Sequence, residues 1–390
     1  MYPIRHFALL LIATFLCELF AGYEAPVAPF APAAGTEGST AIPMDDARIV
    51  NWASQVHSIT FGEDVAEEWR NPDASLGPPN PSGMDVTVLG RSGEIILWFP
   101  DPVVDGEGFD FAIFENSFSD TFLELAYVEV STDGEHFVRF PNYSLTAGLV
   151  PAFGDINPTL VYGYGGKYEA GYGAPFDLAE LASVYDGIIG GYEGFSSEYR
   201  DAFVANFPYV DVNDVQYIRI IDIQGDGSQN DCEGYPVYDP YKTIITAGFD
   251  LDAVGILNQS AREAISFDDW SNAYSLDPVR IADSDNDGWS QFLEYYFGSD
   301  PADPGSKPDI EIQVETDGSL VLTHWYRHNA DNAPAISVST NGSDWHQPAP
   351  EDVQVRRLDQ RREGAAVFNQ QEITLQVDGG IQLARFLAAD

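Results

Sequence analysis

The chain has 390 residues, 44% hydrophobic and 13% aromatic, with 35 glycines and 25 prolines. That composition excludes a disordered chain and favours a turn-rich, β-rich protein of two or three domains. Eighteen Lys and Arg stand against 62 Asp and Glu, a formal charge of −44, of which −38 falls in residues 1–305; such a field repels nucleic acid and anionic lipid and suits divalent cations and a saline exterior.

The N-terminus, MYPIRHFALLLIATFLCELFAG, carries Arg5 and His6, an apolar run over 7–16, and small residues at Ala21 and Gly22. This predicts a secretory signal peptide over 1–21 and a secreted or cell-surface location. The run is short for a membrane span, and no later segment has 18 consecutive apolar residues, so no membrane insertion is expected. Cys17 lacks the small residue expected before a lipidated cysteine. Cys232 is then the one cysteine of the mature chain, which leaves no intramolecular disulfide and makes metal the alternative staple.

Residues 22–46 are Ala/Pro-rich with little periodicity and are expected to be a linker. Over 47–258, short strand-like runs alternate with turn signals: EIILWF (94–99), FDFAIF (109–114), AYVEVST (126–132), QYIRII (216–221) and GFDLDAVGIL (248–257). Asp133-Gly134, between AYVEVST and HFVRF, predicts a tight hairpin with both turn residues at positive φ. Many short strands without alternating long helices predict a mainly β domain, a jelly-roll β-sandwich. PFDLAELASVYDG (175–187) interrupts them with a capping-box-like start, Asp177 and Glu180, and predicts a short helix.

Residues 259–306 read as two short helices around a loop, and 307–390 as a second, smaller β-sandwich with strands IEIQVET, LVLTHWY, ISVSTNGSDW, ITLQV and IQLARFL. VEVSTDGEHFVRFP (128–141) and ISVSTNGSDWHQPAP (336–350) share a strand, S-T-[Asp/Asn]-Gly and a following aromatic, which suggests a reused hairpin.

The loop DSDNDGWSQFLE (283–294) has the spacing of an EF-hand calcium site. A hard cation wants six to eight oxygens, and this loop offers them at fixed positions. Asp283, Asp285 and Asp287 fill positions 1, 3 and 5; Gly288 makes the sharp turn; Trp289 gives its carbonyl at 7; Gln291 stands at 9; Glu294 closes the run as a bidentate ligand at 12. Ser290 replaces the apolar residue that pairs two sensor hands, and no second complete loop follows, so a structural ion bound at roughly 10⁻⁴–10⁻³ M is expected rather than a sensor. Glu294, Asp300 and Asp303 are candidates for a neighbouring ion. Further acidic groups, Asp222, Asp226, Asp231, Asp250 and Asp252, are either cation ligands or turn caps. The loop LVYGYGGKYEAGYG (160–173) sets Tyr162, Tyr164, Tyr168 and Tyr172 with Lys167 among glycines. It reads either as a stacking surface for sugar rings or as an Ω-loop packed on the sandwich.

Three stretches carry resemblances. The calcium loop with EYYFGSDPADP resembles the thrombospondin type 3-like or dockerin-like calcium repeats of secreted bacterial proteins. SVSTNGSDW with the closing ARFL is similar to the small β-sandwich tails that follow such repeats. GFDFAIFENSF, ELAYVEVSTDGEHFVRFP, GKYEAGYGAPFDLAEL and GFDLDAVGIL resemble an uncharacterised family of bacterial secreted or cell-surface proteins with a discoidin-like, galactose-binding-like jelly roll. That resemblance implies a structural calcium near the terminal strands, held by Asp252 and also by Asp110. It brings no catalytic residues.

No enzyme is expected. Glu115, Glu124 and Glu129 are close in sequence, but nothing selects a glycosidase-like pair. The five mature histidines (His57, His136, His324, His328, His346) show no H-E-x-x-H spacing, there is no G-x-S-x-G, and Cys232 has no evident base. The leading expectation is a non-catalytic module that binds an extracellular glycan or similar small ligand. A structural or adhesive envelope protein, a capture protein for a nutrient such as a corrinoid, and an unrecognised hydrolase stay open.

Overall fold

The structure is a computed structural model that describes residues 23–80, 85–260, 265–327, 330, 333–341, 343–363, 366–376 and 383–387. The expected signal peptide lies outside the described residues. The chain divides into two compact units at Ala261/Arg262. Both are mainly β, and their larger sheets are antiparallel.

In the first unit the strands run in chain order: β1 (Ile42–Pro43), β2 (Asn51–Trp52), β3 (Val56–Thr60), β4 (Thr87–Val88), β5 (Glu94–Val103), β6 (Phe111–Glu115), β7 (Ala126–Ser131), β8 (Val138–Arg139), β9 (Tyr143–Ser144), β10 (Val150–Pro151), β11 (Val161–Tyr162), β12 (Tyr172–Phe176), β13 (Val215–Asp222), β14 (Asp226–Asn230), β15 (Pro236–Tyr238), β16 (Pro240–Tyr241) and β17 (Asp250–Ile256). One sheet has the order β1-β12-β6-β17-β2 with β4 beside β17; the other has β3-β5-β13-β7-β8. Alternate residues of each sheet meet in one core: Phe111, Ile113, Phe176 and Val254 from the first, Ile95, Leu97, Val128, Val130, Ile218 and Ile220 from the second. The period of two that marked the runs is the period of a sandwich core. β5, β6, β7 and β17 are buried on both faces for most of their length, because loops and helices cover the outer sides.

The expected helix forms as α1 (Ala179–Ile189), and Asp177 Oδ1 accepts from Ala179 N at 2.9 Å. Glu180 does not close a capping box; its carboxylate accepts the Tyr162 hydroxyl at 2.8 Å. A second helix, α2 (Ser197–Asn206), starts where the Ser196 hydroxyl accepts from Tyr199 N.

Residues 23–46 are no free linker. Tyr23 and Phe30 are buried, the Tyr23 and Tyr143 hydroxyls bond at 2.9 Å, and β1 pairs with β12. Two aromatics and Ile42 anchor an otherwise extended, Pro-rich segment on the sandwich, and their burial outweighs its weak local pattern.

The hairpin at Asp133-Gly134 pairs as expected, Val130 with Val138 and Glu129 with Arg139. The turn is longer than two residues: only Gly134 has positive φ (78°), while Asp133 Oδ1 accepts from Glu135 N and His136 N. The echo at Asn341 repeats this chemistry. Asn341 Oδ1 accepts from Ser343 N and Asp344 N at 2.8 Å each, and Val338 pairs with His346. An Asx-capped loop is thus reused with either residue.

The second unit contains α3 (Phe267–Ala273), α4 (Gln291–Phe297) and strands β18 (Ile310–Val314), β19 (Leu320–Arg327), β20 (Ala335–Ser339), β21 (Val353–Glu363), β22 (Ala366–Leu375) and β23 (Leu383–Leu387). Sheets β18-β19-β22-β21 and β20-β23 share a small core of Leu320, Leu322, Val338, Ile373 and Leu375. Every residue of α4 is buried. Tyr296 stacks on Tyr326, Phe297 meets Phe386 edge-on, and Arg327 Nε donates to Tyr295 O at 3.0 Å. So short and apolar a helix needs cover on all sides. The expected division at 306/307 therefore gives way to a shared core, and the acidic loop over 283–294 belongs to the second unit rather than standing between two.

Candidate functional site

The loop before α4 collects what an oxygen-coordinated cation needs. Asn286 (φ 63°) and Gly288 (φ 99°) turn the chain so that Asp283, Asp285 and Asp287 each bring a carboxylate oxygen within 4.8 Å of the others. Backbone donors fix them: Asp287 N and Gly288 N bond Asp283, and Trp289 N bonds Asp287 Oδ1 at 2.8 Å. The first turn of α4 delivers Glu294, which is fully buried. Neither Glu294 oxygen has a hydrogen-bond partner, nor do Asp285 Oδ2, Asp287 Oδ2 and Gln291 Oε1. Burial, then the like charges of Asp285, Asp287 and Asp283, pushes the Glu294 carboxyl up to about 8. A buried carboxylate left without donors is costly unless a cation meets it. The donors are all oxygen, as calcium prefers, and they fit that ion. Ser290 serves as the cap position of α4, and Gln291 Nε2 donates to Ser284 Oγ at 2.5 Å. Asp300 adds charge at Glu294; Asp303 instead accepts from Gly305 N.

Asp252 and Asp110 lie in different places in the first unit. Asp252 is buried, its Oδ1 accepts from Asn80 N at 2.9 Å, and its Oδ2 has no partner. Burial, with Asp85 adding like charge, raises its carboxyl to about 6. Asp110 gathers with Asp105 and Asp177, again within 4.8 Å. Both Asp110 oxygens are already used: Oδ1 by Gly106 N and Asn258 Nδ2, Oδ2 by Leu178 N at 2.7 Å. It ties the start of β6 to the start of α1.

The tyrosine loop does not present a stacking surface. Tyr164 and Tyr168 are 1% and 2% exposed. The Tyr168 hydroxyl bonds Thr40 at 2.8 Å, Tyr162 is held by Glu180, and Tyr172 sits in β12 opposite Pro43. Lys167 is buried too, its Nζ donating to Pro158 O at 2.6 Å and Val161 O at 2.5 Å; burial lowers it to about 7. These ligand candidates are core and staple groups: a ring that buries its faces gains more from packing than from waiting for a sugar. Asp226 and Asp231 cap turns, through Ser228 N and through Glu233 N and Tyr235 N.

Two groupings could not be assembled from the sequence, although Glu115, Glu124, Asp222 and Asp250 stood out in it one by one. One is a cavity of about 370 Å³ between β7, β8, α2 and the segment around Cys232. Its walls include Tyr127, Glu129, Arg139, Asn142, Tyr199 and Asp231. Arg139 lies 3.8 Å over the Tyr127 ring, and Glu129 accepts from both Arg139 Nε and Arg219 Nε. Asn142 Oδ1 is buried without a donor. Cys232 is buried, which pushes its thiol up and keeps it unreactive. The other is a set of buried carboxylates at one end of the first sandwich: Glu115, Glu124, Asp222, Asp239 and Asp250. Its sequence signal was present, a charged residue inside or closing an apolar run (FAIFE, LEL).

Among the described residues no helix is long and apolar enough to cross a membrane. No protein-family model matches the chain, and no curated protein matches it.

Proposed function

We propose that the chain is a secreted, calcium-binding, non-catalytic recognition protein, its ligand an extracellular glycan or similar small polar molecule. The calcium half rests on one observation: Glu294, fully buried, brings two donorless carboxylate oxygens to three converging aspartates. The ion would be held by Asp283, Asp285, Asp287, Glu294, Gln291 and the Trp289 carbonyl. It would supply a structural charge, tying the loop to α4. The cavity supports the recognition half. Its volume suits one or two sugar rings. Its lining is rich in acceptors, with Asn142 Oδ1 lacking a donor, and sugar hydroxyls are donors. Glu115, Glu124, Asp222, Asp239 and Asp250 are buried, out of reach of a polymeric substrate. Ligand-observed NMR with a panel of mono- and disaccharides, in calcium, tests this. Asn142→Leu, which removes the acceptor at nearly constant size, is expected to weaken binding at least tenfold. Failure of every sugar and of polysaccharide gels to bind would refute recognition without touching the calcium site.

A structural or adhesive role has its own support. Phe118, Phe122 and Phe153 form a stacked pile with centroids 5.9 and 5.8 Å apart, and Phe118 and Phe153 are 71% and 73% exposed. Exposed aromatics so grouped suit association. Sedimentation of the wild type against Phe118→Ser decides it: only an adhesive surface shows concentration-dependent association that the variant loses.

A further inference from the structure

The carboxylates at the end of the first sandwich are placed there by strand register. β6 closes at Glu115, which pairs with Leu251, beside Asp250 at the start of β17. β13 closes at Asp222, which pairs with Ala126 at the start of β7, two residues after Glu124. Antiparallel pairing thus brings these ends together two by two, one pair in each sheet, and Phe249 N, just before β17, links the pairs by donating to Asp222 Oδ1 at 2.7 Å. Asp239 joins them through its Oδ2, which accepts from Leu125 N at 3.0 Å. The five are between 0% and 7% exposed.

Their partners divide them. Asp222 is pinned by Ser92 N at 2.8 Å and Phe249 N at 2.7 Å, and Asp239 by Leu125 N. Glu115, 1% exposed, has no hydrogen-bond partner on either oxygen; the N–H groups of Asn116 and Ser117 lie beside it and ease its charge without closing a bond. Asp250 Oδ1 is also without a partner. The groups face one another: Asp250 is the charge felt most by Glu115, and Asp250 and Glu115 are those felt most by Glu124. The charges that act most on Glu115, Glu124 and Asp239 are all carboxylates, and Arg91 acts on Asp222. Five acids in so dry a place cannot all stay ionised unpaired. Either protons or a cation must compensate.

We propose that this end of the first sandwich is a second hard-cation site, for a calcium-sized divalent ion, with Glu115, Glu124 and Asp250 as ligands and Asp222 and Asp239 as supporting charge. Like Glu294 in the loop, Glu115 is buried among like charges and closes no hydrogen bond on either oxygen, though the N–H groups of Asn116 and Ser117 lie beside it. The donors here are spread more widely than in the loop, where three oxygens lie within 4.8 Å. Glu115, Glu124 and Asp250 are not among the groups whose oxygens all lie within 4.8 Å, so an ion bound here would draw their carboxylates inward. The site would lock the start of β7 to the start of β17, across the two sheets, in a unit whose described residues hold no disulfide. It is independent of the sugar cavity.

Equilibrium dialysis of the full chain against calcium, in an Asp285→Ala background that disables the loop, tests it. At least one calcium should remain bound in Asp285→Ala, and it should be lost on adding Glu115→Gln or Asp250→Asn. Glu115→Gln should also raise the melting temperature of calcium-free protein, by removing one of the clustered charges, and lower it in calcium. If Asp285→Ala binds no calcium up to 10 mM, the acids hold protons and the proposal falls. If Glu115→Gln lowers the melting temperature equally with and without calcium, Glu115 is a packing group and the proposal falls as well. Should Glu115→Gln not fold, Asp250→Asn and the ion count in Asp285→Ala decide.

Discussion

Removing calcium from the loop should loosen the second unit by an amount that follows from its donor set. The loop offers five oxygens without hydrogen-bond partners, from Asp285, Asp287, Gln291 and both arms of Glu294. An extracellular site of this kind binds at roughly 10⁻⁴–10⁻³ M. At about 10 mM calcium the ratio of ligand to dissociation constant is then roughly 10–100, which stabilises the folded unit by about 1.4–2.7 kcal/mol. For a unit covering 262–390, a kilocalorie moves the melting temperature by roughly 3–6 °C, so a rise of about 5–15 °C is expected. Differential scanning calorimetry with chelator and then calcium reads it. The second transition should move, and Asp285→Ala should lose most of the shift. Glu294→Gln gives the sharper reading. It keeps the shape but removes the buried charge, so calcium-free protein should be at least as stable as the wild type while the calcium response disappears. A second transition indifferent to chelation, or a Glu294→Gln variant with the full wild-type shift, would refute the reasoning.

Three further outcomes are expected. His324 is 1% exposed, with Nε2 2.9 Å from the Gln371 amide nitrogen and Nδ1 without a partner, and burial lowers it to about 4. Its folded value lies below its unfolded one, so the unfolded chain binds the extra proton. The stability it contributes is whole above about 6.5 and falls as pH drops toward 4, by about 3 kcal/mol, in urea melts of the second unit; His324→Phe should flatten that slope. Tyr168→Ala should destabilise the first unit by about 3–5 kcal/mol, since a fully buried ring leaves a cavity; a stability change under about 1 kcal/mol would restore the loop as a surface site. Phe153 holds φ at 59°, a conformation that strains a bulky residue, so Phe153→Gly should be stabilising by up to about 1 kcal/mol in chemical denaturation.

Strand positions and the convergence of Asp283, Asp285 and Asp287 were legible because both are local. A period of two or a twelve-residue spacing survives in the sequence whatever the rest of the chain does. β21 escaped because VQVRRLDQRRE is too polar to read as a strand, though it pairs with β22 along its length. The tyrosine loop misled for a related reason. Glycine and tyrosine spacing gives the chemistry of a surface without saying which way it faces, and Tyr168 meets Thr40, 128 residues away. The linker reading failed at the same point: nothing near Tyr23 reveals that Tyr143 waits for its hydroxyl.

The carboxylate end of the first sandwich shows why such sites are hard to read. Its five acids come from β6, the approach to β7, β13, the turn before β16, and β17, so they span residues 115–250 and share no spacing. What the sequence does carry is a conflict. LEL and FAIFE place a glutamate where the surrounding pattern demands a buried apolar side chain, and a chain that folds cannot leave such a charge uncompensated. The loop before α4 and the end of the sandwich resolve one problem by two routes. The first brings its ligands together by a local turn, the second by the register of four strands. If calcium fills both, each unit replaces the missing disulfide with an ion. Losing the loop ion should then loosen the second unit alone, and losing Glu115 the first alone. Two separable calcium-dependent transitions are therefore the signature that distinguishes this arrangement from a single fastener.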